Sequence, residues 1–373
     1  MIYRTLGRTG LKVSQLGFGA MRLPMTGEGE AARVNRELAV PMIHRAFEAG
    51  VNYIDTAVGY CNQDSQRAVG DALKGWRDRV ILSTKNHYYG PDEKEWWKLL
   101  EQSLERLQTG HIDIYNHHGI NWKGWVENVE PRVSGWMRKA KEQGLIRHIC
   151  TSFHDSPEAL KKIVETGYPD VITLQYNLLD RSLEEGIALA HARGLGIVVM
   201  GPVGGGRLGD ASAVLEGLVP GIARVPELAM RFVLANPHVA VALSGMSTLA
   251  QVEENLRVAS DPSPLSAADQ AAIQEHLVRM KKMAELYCTG CNYCLPCPGE
   301  VAIPKIFERY NRGRVYGLWD SARRDYARIG TVPWDGGKKA DACSECGACE
   351  KKCPQHIPIR QQLREAHKAL TGG

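Results

Sequence analysis

Short β-branched runs alternate with helix-like stretches over roughly the first 260 residues, and this alternation limits the fold more than any other feature of the chain. The runs predict strands at 16–19, 53–55, 80–84, 112–116, 146–151, 171–175, 197–200 and 239–243. Several are continuously apolar, as parallel strands covered on both faces must be. Amphipathic spacing predicts helices at 41–49, 65–73, 93–107, 132–143, 157–166, 183–193, 226–235 and 249–258. Ser156 followed by Pro157 reads as a helix start, and Gly50, Gly144, Gly167 and Gly194 stand where helices should stop. Eight strands, each followed by a helix, predict an α/β fold of the (β/α)8 TIM-barrel type. A doubly wound parallel sheet is the rival architecture. Residues 1–13 read as a hairpin ahead of the barrel.

A chain of 373 residues exceeds the usual size of one domain. The Asp261-Pro-Ser-Pro264 stretch marks a boundary, which predicts a barrel over 1–265, a connecting helix over 266–286 and a small domain over 287–373. Hydrophobic residues at 44% and charged residues at 24% exclude a largely disordered chain. A net charge of +4 on 46 basic and 42 acidic residues argues against a nucleic-acid partner. No apolar run approaches the roughly 18–20 residues of a membrane span. The opening MIYRTLGRTG lacks the pattern of a signal peptide, so the expected location is the cytoplasm.

Eight of the ten cysteines fall between Cys288 and Cys353. In a reducing compartment such clustering favours metal ligands over disulfides. The first run is Cys288-x2-Cys291-x2-Cys294-x2-Cys297-Pro298, and the second is Cys343-x2-Cys346-x2-Cys349-x3-Cys353-Pro354. The second matches the bacterial run for a cubane cluster, in which three near thiolates wrap one cluster and the fourth reaches the other. That rule assigns Cys288, Cys291, Cys294 and Cys353 to one [4Fe-4S] cluster, and Cys343, Cys346, Cys349 and Cys297 to a second. Zinc is the alternative, but its sites usually pair two C-x2-C units across a longer gap. Helix-like segments at 303–311 and 357–370 follow the two runs. Residues 301–342 hold nine Lys/Arg against five Asp/Glu, either a docking face for an acidic electron carrier or a solvated basic face.

In a barrel the reactive groups sit at the C-terminal ends of the strands. Here the second strand ends in Asp55-Thr-Ala-Val-Gly-Tyr60, the third in Ser-Thr-Lys85-Asn86, and the fourth in Asn-His117-His118-Gly. The fifth ends in Thr-Ser152-Phe-His154, and the sixth in Leu-Gln175-Tyr-Asn177. This series resembles the aldo-keto reductases over roughly residues 1–260. Carried over by position, the family's catalytic tetrad becomes Asp55, Tyr60, Lys85 and His118, with His117 one place early. The resemblance implies NAD(P)H-dependent interconversion of a carbonyl and an alcohol. Hydride attack builds negative charge on the carbonyl oxygen, and a proton must reach it. A phenol is a weak acid, so the Lys85 cation would ease proton donation from Tyr60. Asp55 would keep that lysine charged, and His118 would orient the oxygen or relay the proton. His117 and His154 read equally well as structural hydrogen-bonders, and Cys150 as a small core residue.

The resemblance also places Ser152 and Gln175 on the nicotinamide carboxamide, although Phe153 and His154 follow where the family often has Asn. After the seventh strand, Gly201 and Gly204–Gly206 would let the backbone approach a pyrophosphate, with Arg207 adding charge. Met200 stands where many members have an aromatic ring. After the eighth strand Ser244, Gly245, Gln251, Glu254 and Asn255 occupy the adenosine end, but Gly245 and Gln251 replace the family's cations. Residues before the barrel core do not replace these cations, so NADH and NADPH both stay open. Loop residues His87, Tyr88, Trp122, Trp125 and His154 are expected to form a substrate pocket for a polar ring such as a sugar, or else to pack the loops. One branch of the family carries a C-terminal domain with two [4Fe-4S] clusters, resembling the α-helical type of ferredoxin. Two other functions remain open. One is passage of single electrons between the clusters and a partner, for which the chain shows no flavin motif. The other is a nicotinamide-binding sensor barrel.

Overall fold

The computed structural model describes residues 1–263, 265–285, 288 and 290–372. Eight parallel strands close into a barrel. They are β1 (Leu16–Gly19), β2 (Tyr53–Asp55), β3 (Ile81–Asn86), β4 (Ile112–Ile120), β5 (Ile146–Phe153), β6 (Val171–Gln175), β7 (Gly196–Met200) and β8 (Val241–Gly245). Each pairs with its neighbour in chain order, and β8 closes on β1 through Ser244 opposite Phe18 and Gly245 opposite Gly19. The (β/α)8 architecture is therefore as expected, and the doubly wound alternative falls.

The strand ends differ from expectation for a physical reason. Strands β3, β4 and β5 run past their expected ends because the polar residues there continue the ladder. Lys85 pairs with Asn116 and Asn86 with His117. Hydropathy marks burial between the barrel and its helices and is blind to polar side chains that face the mouth. Two helices also start earlier than expected. The first runs over Arg36–Glu48 with Pro41 inside it, capped by Asn35, whose side chain accepts from the Leu38 amide. The fourth helical stretch opens as a π-helix at Trp125–Val133 before Ser134–Glu142. Its wider turn carries Pro131, which the helical spacing passes over.

The N-terminal hairpin pairs Tyr3–Thr5 with Lys12–Ser14. Its Leu6 and Val13 pack with Tyr53, Ile114, Cys150, Val171, Val198 and Val241 in one buried cluster. The approach is close. A Cβ on Gly7, at φ +50°, would lie 2.3 Å from the Gly196 nitrogen, so only glycine serves there. Cys150 is buried in this cluster, which raises its thiol to about 12.

Two compact units emerge. The first comprises Met1–Gly204 and Ala229–Pro264, the second Gly205–Leu228 and Leu265–Gly373. Residues 205–228, placed with the barrel by sequence, group with the C-terminal unit. That unit carries helices at Ala267–Glu285, Ile303–Tyr316, Trp319–Arg328, Ala348–Lys352 and Ile359–Thr371. Its core gathers Ile303, Ile306, Phe307, Tyr326, Leu363 and Leu370 around the cysteines. A helix runs over Ala267–Glu285, within the stretch 266–286 expected to connect the two domains; Leu286 and Tyr287 lie outside the described residues. Among the described residues no helix is long and apolar enough to cross a membrane.

Candidate active site and cluster cysteines

Asp55 ends β2, directly opposite Ser83 in the register with β3. Ser83 Oγ donates to one Asp55 oxygen at 2.7 Å, and Asn116 Nδ2 donates to Ser83 Oγ at 3.0 Å. The other Asp55 oxygen accepts from Lys85 Nζ, which also donates to the Thr56 carbonyl at 2.8 Å. Lys85 is 2% exposed, so an unpaired ammonium here would be costly. Burial pulls the Lys85 pKa down, but Asp55 and Tyr60 outweigh it, and the net shift is upward. The lysine is thus a fixed cation. Its Nζ lies 4.9 Å from the centroid of the Tyr60 ring.

Tyr60 meets His118 edge to face, with ring centroids 6.0 Å apart. Burial raises the Tyr60 pKa, and the opposing pull of Lys85 leaves it above the ordinary value. The phenol therefore keeps its proton at neutral pH. His118 is pushed down to about 3 by burial, with Lys85, His87 and His154 adding to the effect. It is neutral in the physiological range. The two adjacent histidines lie in different surroundings. His117 is buried, and its Nε2 lies 3.1 Å from Tyr168 Oη, among Trp125 and Tyr168. The register of β4 with β5 is irregular between His117 and Ile120, which re-aims the chain at this point. Tyr89, in the loop after β3, donates from its hydroxyl to the His118 carbonyl at 2.9 Å.

The candidate cofactor residues are brought together only in part. Ser152 pairs with Thr173 in register, which leaves Gln175 two places further along the next strand and on the same face. At the eighth strand, Asn255 Nδ2 donates to Ser244 Oγ at 2.9 Å. Gln251 turns back to accept from the Ser247 amide at 2.8 Å, and Glu253 is taken up by Arg45. Gly201 and Gly204 have φ of 65° and 61°, and the Gly204 amide bonds the Gly201 carbonyl at 2.8 Å. Gly205, Gly206 and Arg207 fall in the other unit. One residue escaped the sequence reading. A Cβ built on Gly245 would lie 3.4 Å from Arg22 Cδ, and Ser247 Oγ donates to the Arg22 carbonyl at 2.7 Å. Arg22 follows β1, far in sequence from β8, and only the barrel's closure brings the two together.

Of the expected substrate residues, His87 and His154 are exposed and Tyr88 and Trp122 partly so. Trp122 receives Lys162 over its ring at 5.2 Å. Trp125 is 2% exposed and packs on His117 and Tyr168, so it supports the loop from beneath.

In the C-terminal unit a cavity is lined by Cys288, Cys291, Cys294 and Cys353 together with Ile303, Phe307 and Ile357. Four thiols against an apolar wall are the donor set a cubane takes. Cys297, Cys343 and Cys349 pack against the same core. A Cβ on Gly299 would stand 3.0 Å from the Ala342 carbonyl and 4.0 Å from Cys297 Sγ, which puts Cys297 beside the second run. The basic excess of residues 301–342 is largely neutralised inside the unit. Arg309 pairs with Asp335 at 2.6 Å, Arg312 with Asp325 at 2.6 Å, and Arg324 with Asp210 at 2.6 Å.

The aldo/keto reductase family model matches residues 15–216, and the chain belongs to that family. A 4Fe-4S dicluster domain matches residues 287–357. The chain is thus an aldo-keto reductase-type oxidoreductase with a ferredoxin-type domain. Among solved structures it is similar to the holo form of aldo-keto reductase AKR11C1 from Bacillus halodurans. The identity is 30% and the TM-score 0.63, covering 74% of this chain and 96% of that one. L-galactose dehydrogenase of Arabidopsis thaliana is 29% identical over 299 residues, covering 73% of this chain and 92% of its own. NADH-specific methylglyoxal reductase of Escherichia coli is 27% identical over 323 residues, covering 72% and 96% respectively.

Proposed function

We propose that the barrel interconverts a carbonyl and an alcohol with NAD(P)H, and that the C-terminal unit holds two [4Fe-4S] clusters. The observation that carries the first part is the line Asp55–Lys85–Tyr60–His118. The nicotinamide, when bound, supplies or accepts the hydride. Tyr60 holds the proton that a developing alkoxide must take, and Lys85 stabilises the phenolate left behind. Asp55, held by Ser83 and Asn116, keeps Lys85 in place. His118, neutral, orients the carbonyl oxygen by a hydrogen bond rather than as a cation. Ser152 and Gln175 fit the carboxamide by their position on one face of β5 and β6, and Ser244 and Asn255 fit the adenosine end. Met200 at the end of β7 offers no ring for stacking.

The substrate reading is a small polar carbonyl, such as a sugar. Partly exposed Tyr88 and Trp122 beside His87 and His154 support it, as does the resemblance to a sugar dehydrogenase. For the clusters, the shared cavity of Cys288, Cys291, Cys294 and Cys353 supports the pairing of the first run with the last cysteine of the second. The hydride step needs no single electrons, so the clusters serve the fold of their own unit. The test is anaerobic purification, iron and sulfide analysis, and a screen of carbonyls and alcohols with both nicotinamides. Turnover of polar carbonyls with about eight irons per chain supports the reading. Tight nicotinamide binding without turnover of any of them overturns it in favour of a sensor.

A further inference from the structure

Immediately after Tyr60 the backbone adopts a conformation that side chains disfavour. Cys61, Asn62 and Gln63 have φ of 51°, 52° and 64°, three consecutive residues in the left-handed region. Neighbouring chain pins them there. Asn62 Nδ2 donates to the Gly29 carbonyl at 2.9 Å, and Asp64 accepts from the Val34 amide at 2.9 Å. Strain of this kind is kept where it shapes a site.

The pinned segment forms one wall of a cavity of about 560 Å³, which Arg33, Arg67 and Arg106 also line. The volume lies within the roughly 300–1,000 Å³ of small-molecule sites. The helices Ser65–Leu73 and Glu93–Leu107 meet closely beside it, since a Cβ on Gly70 would stand 2.5 Å from the Arg106 carbonyl. This approach brings Arg67 and Arg106 near each other. The Arg106 pKa is lowered, first by burial and then by the charge of Arg67.

The charges do not balance. Asp64 is already taken by Arg36, whose Nη2 donates to it at 2.8 Å. Arg33 and Arg67 spend their donors on neutral carbonyls, Arg33 Nη1 on that of Glu30 at 2.7 Å and Arg67 Nη1 on that of Gln63 at 3.4 Å. Arg106 Nη1 is buried and has no hydrogen-bond partner among the described residues. Among those residues none of the three arginines forms an ion pair, and Glu30 is the one other carboxylate on the wall. Guanidinium groups gathered on one wall without matching carboxylates are costly unless an anion joins them. Guanidinium forks match the paired oxygens of phosphate and carboxylate.

We propose that this cavity, outside the tetrad and adjoining the segment that follows Tyr60, binds a small organic dianion carrying a phosphate or two carboxylates, through Arg33, Arg67 and Arg106. The experiment is titration calorimetry on the intact, cluster-loaded protein. Inorganic phosphate, glycerol 3-phosphate and succinate are the probes, and glycerol is the uncharged control, each to about 10 mM. Arg106→Gln and Arg67→Gln test the half-buried Arg106 and the exposed Arg67 beside it. Arg33→Gln, at an exposed position, tests the site without risk to packing. Saturable binding of either phosphate or of succinate, weakened about tenfold in each variant with NADPH affinity unchanged, supports the site and says which acid it takes. Absence of saturable binding by all three probes overturns it. So does binding that persists in all variants, or binding abolished by saturating NADP+, which would place the anion in the cofactor site.

Discussion

The barrel and the cysteine-bearing unit hold their reactive groups by opposite means. In the barrel Lys85 is fixed by protein alone: Asp55 and the Thr56 carbonyl bind its ammonium, and Ser83 and Asn116 fix Asp55 in turn. Every member sits on a strand end of a closed sheet or beside one. In the other unit most of the sulfurs stand on loops and turns, Cys349 lies in the short helix Ala348–Lys352, and Cys291 and Cys346 are exposed. Their order depends on a small apolar core and on whatever the thiols bind. A preorganised site can be broken only at its own members, whereas a ligand-built one should fail with its ligand.

The sharpest test of the preorganised half is Tyr60→Phe. It removes the proton and leaves Lys85, Asp55 and the barrel core intact. Turnover should fall about a hundredfold or more, with cofactor affinity little changed. Steady-state rates beside a nicotinamide fluorescence titration check it, and near-normal turnover would remove Tyr60 from the chemistry.

Titration gives the next effect. Burial holds the Tyr60 pKa above its ordinary value, so the group is an acid at neutral pH and a base only in alkali. Alcohol oxidation should rise about tenfold per pH unit through the neutral and mildly alkaline range, while carbonyl reduction stays level there. With His118 held near 3, neither profile should inflect between about pH 5 and 8. An inflection there would return the proton relay to His118.

Asp55, Tyr60, Lys85 and His118 could be singled out from the sequence because four residue types recur at strand ends in a fixed order, and position along the chain maps onto position around a barrel. Spacing alone suggested the proposed cysteine pairing. What the sequence hid are contacts made by closure of the ring. Arg22 reaches Gly245 only because β1 and β8 are neighbours, and Tyr89 finds the His118 carbonyl across a loop. Nor did hydropathy find residues 205–228 in the second unit, since a segment between a strand and a helix carries no mark of what it packs on.

Arg22 yields the third prediction. Gly245 and Gln251 offer no cation to a 2′-phosphate, and Gln251 is committed to the Ser247 amide. Arg22, lying over Gly245, is placed to supply one. Arg22→Ala should weaken NADPH about tenfold, roughly 1.4 kcal/mol, and leave NADH nearly unchanged. Dissociation constants for both nicotinamides decide it. An equal loss for both would make Arg22 a loop support, and a selective loss in Arg207→Ala instead would restore the glycine-rich loop as the reader.

The smallest effect on chemistry should come from the ligand-built half. Cys346 is exposed and sits in the second run, three residues from buried Cys349. Cys346→Ala removes one thiolate from the cluster assigned to Cys343, Cys346, Cys349 and Cys297. Iron per chain should fall by about half. The helices that rest on that core, Ile303–Tyr316 and Ile359–Thr371, should lose protection against proteolysis, because a unit of this size would depend on the proposed clusters as staples. None of the hydrogen bonds that fix Lys85 involves this unit. Single-turnover NADPH oxidation by the variant should therefore stay within about twofold of the intact protein, with any change falling on substrate affinity. The two samples are compared under anaerobic conditions with iron measured on each. Complete loss of hydride transfer in a still-folded barrel would break the contrast between the halves, and would mean that electrons through the clusters are part of the reaction.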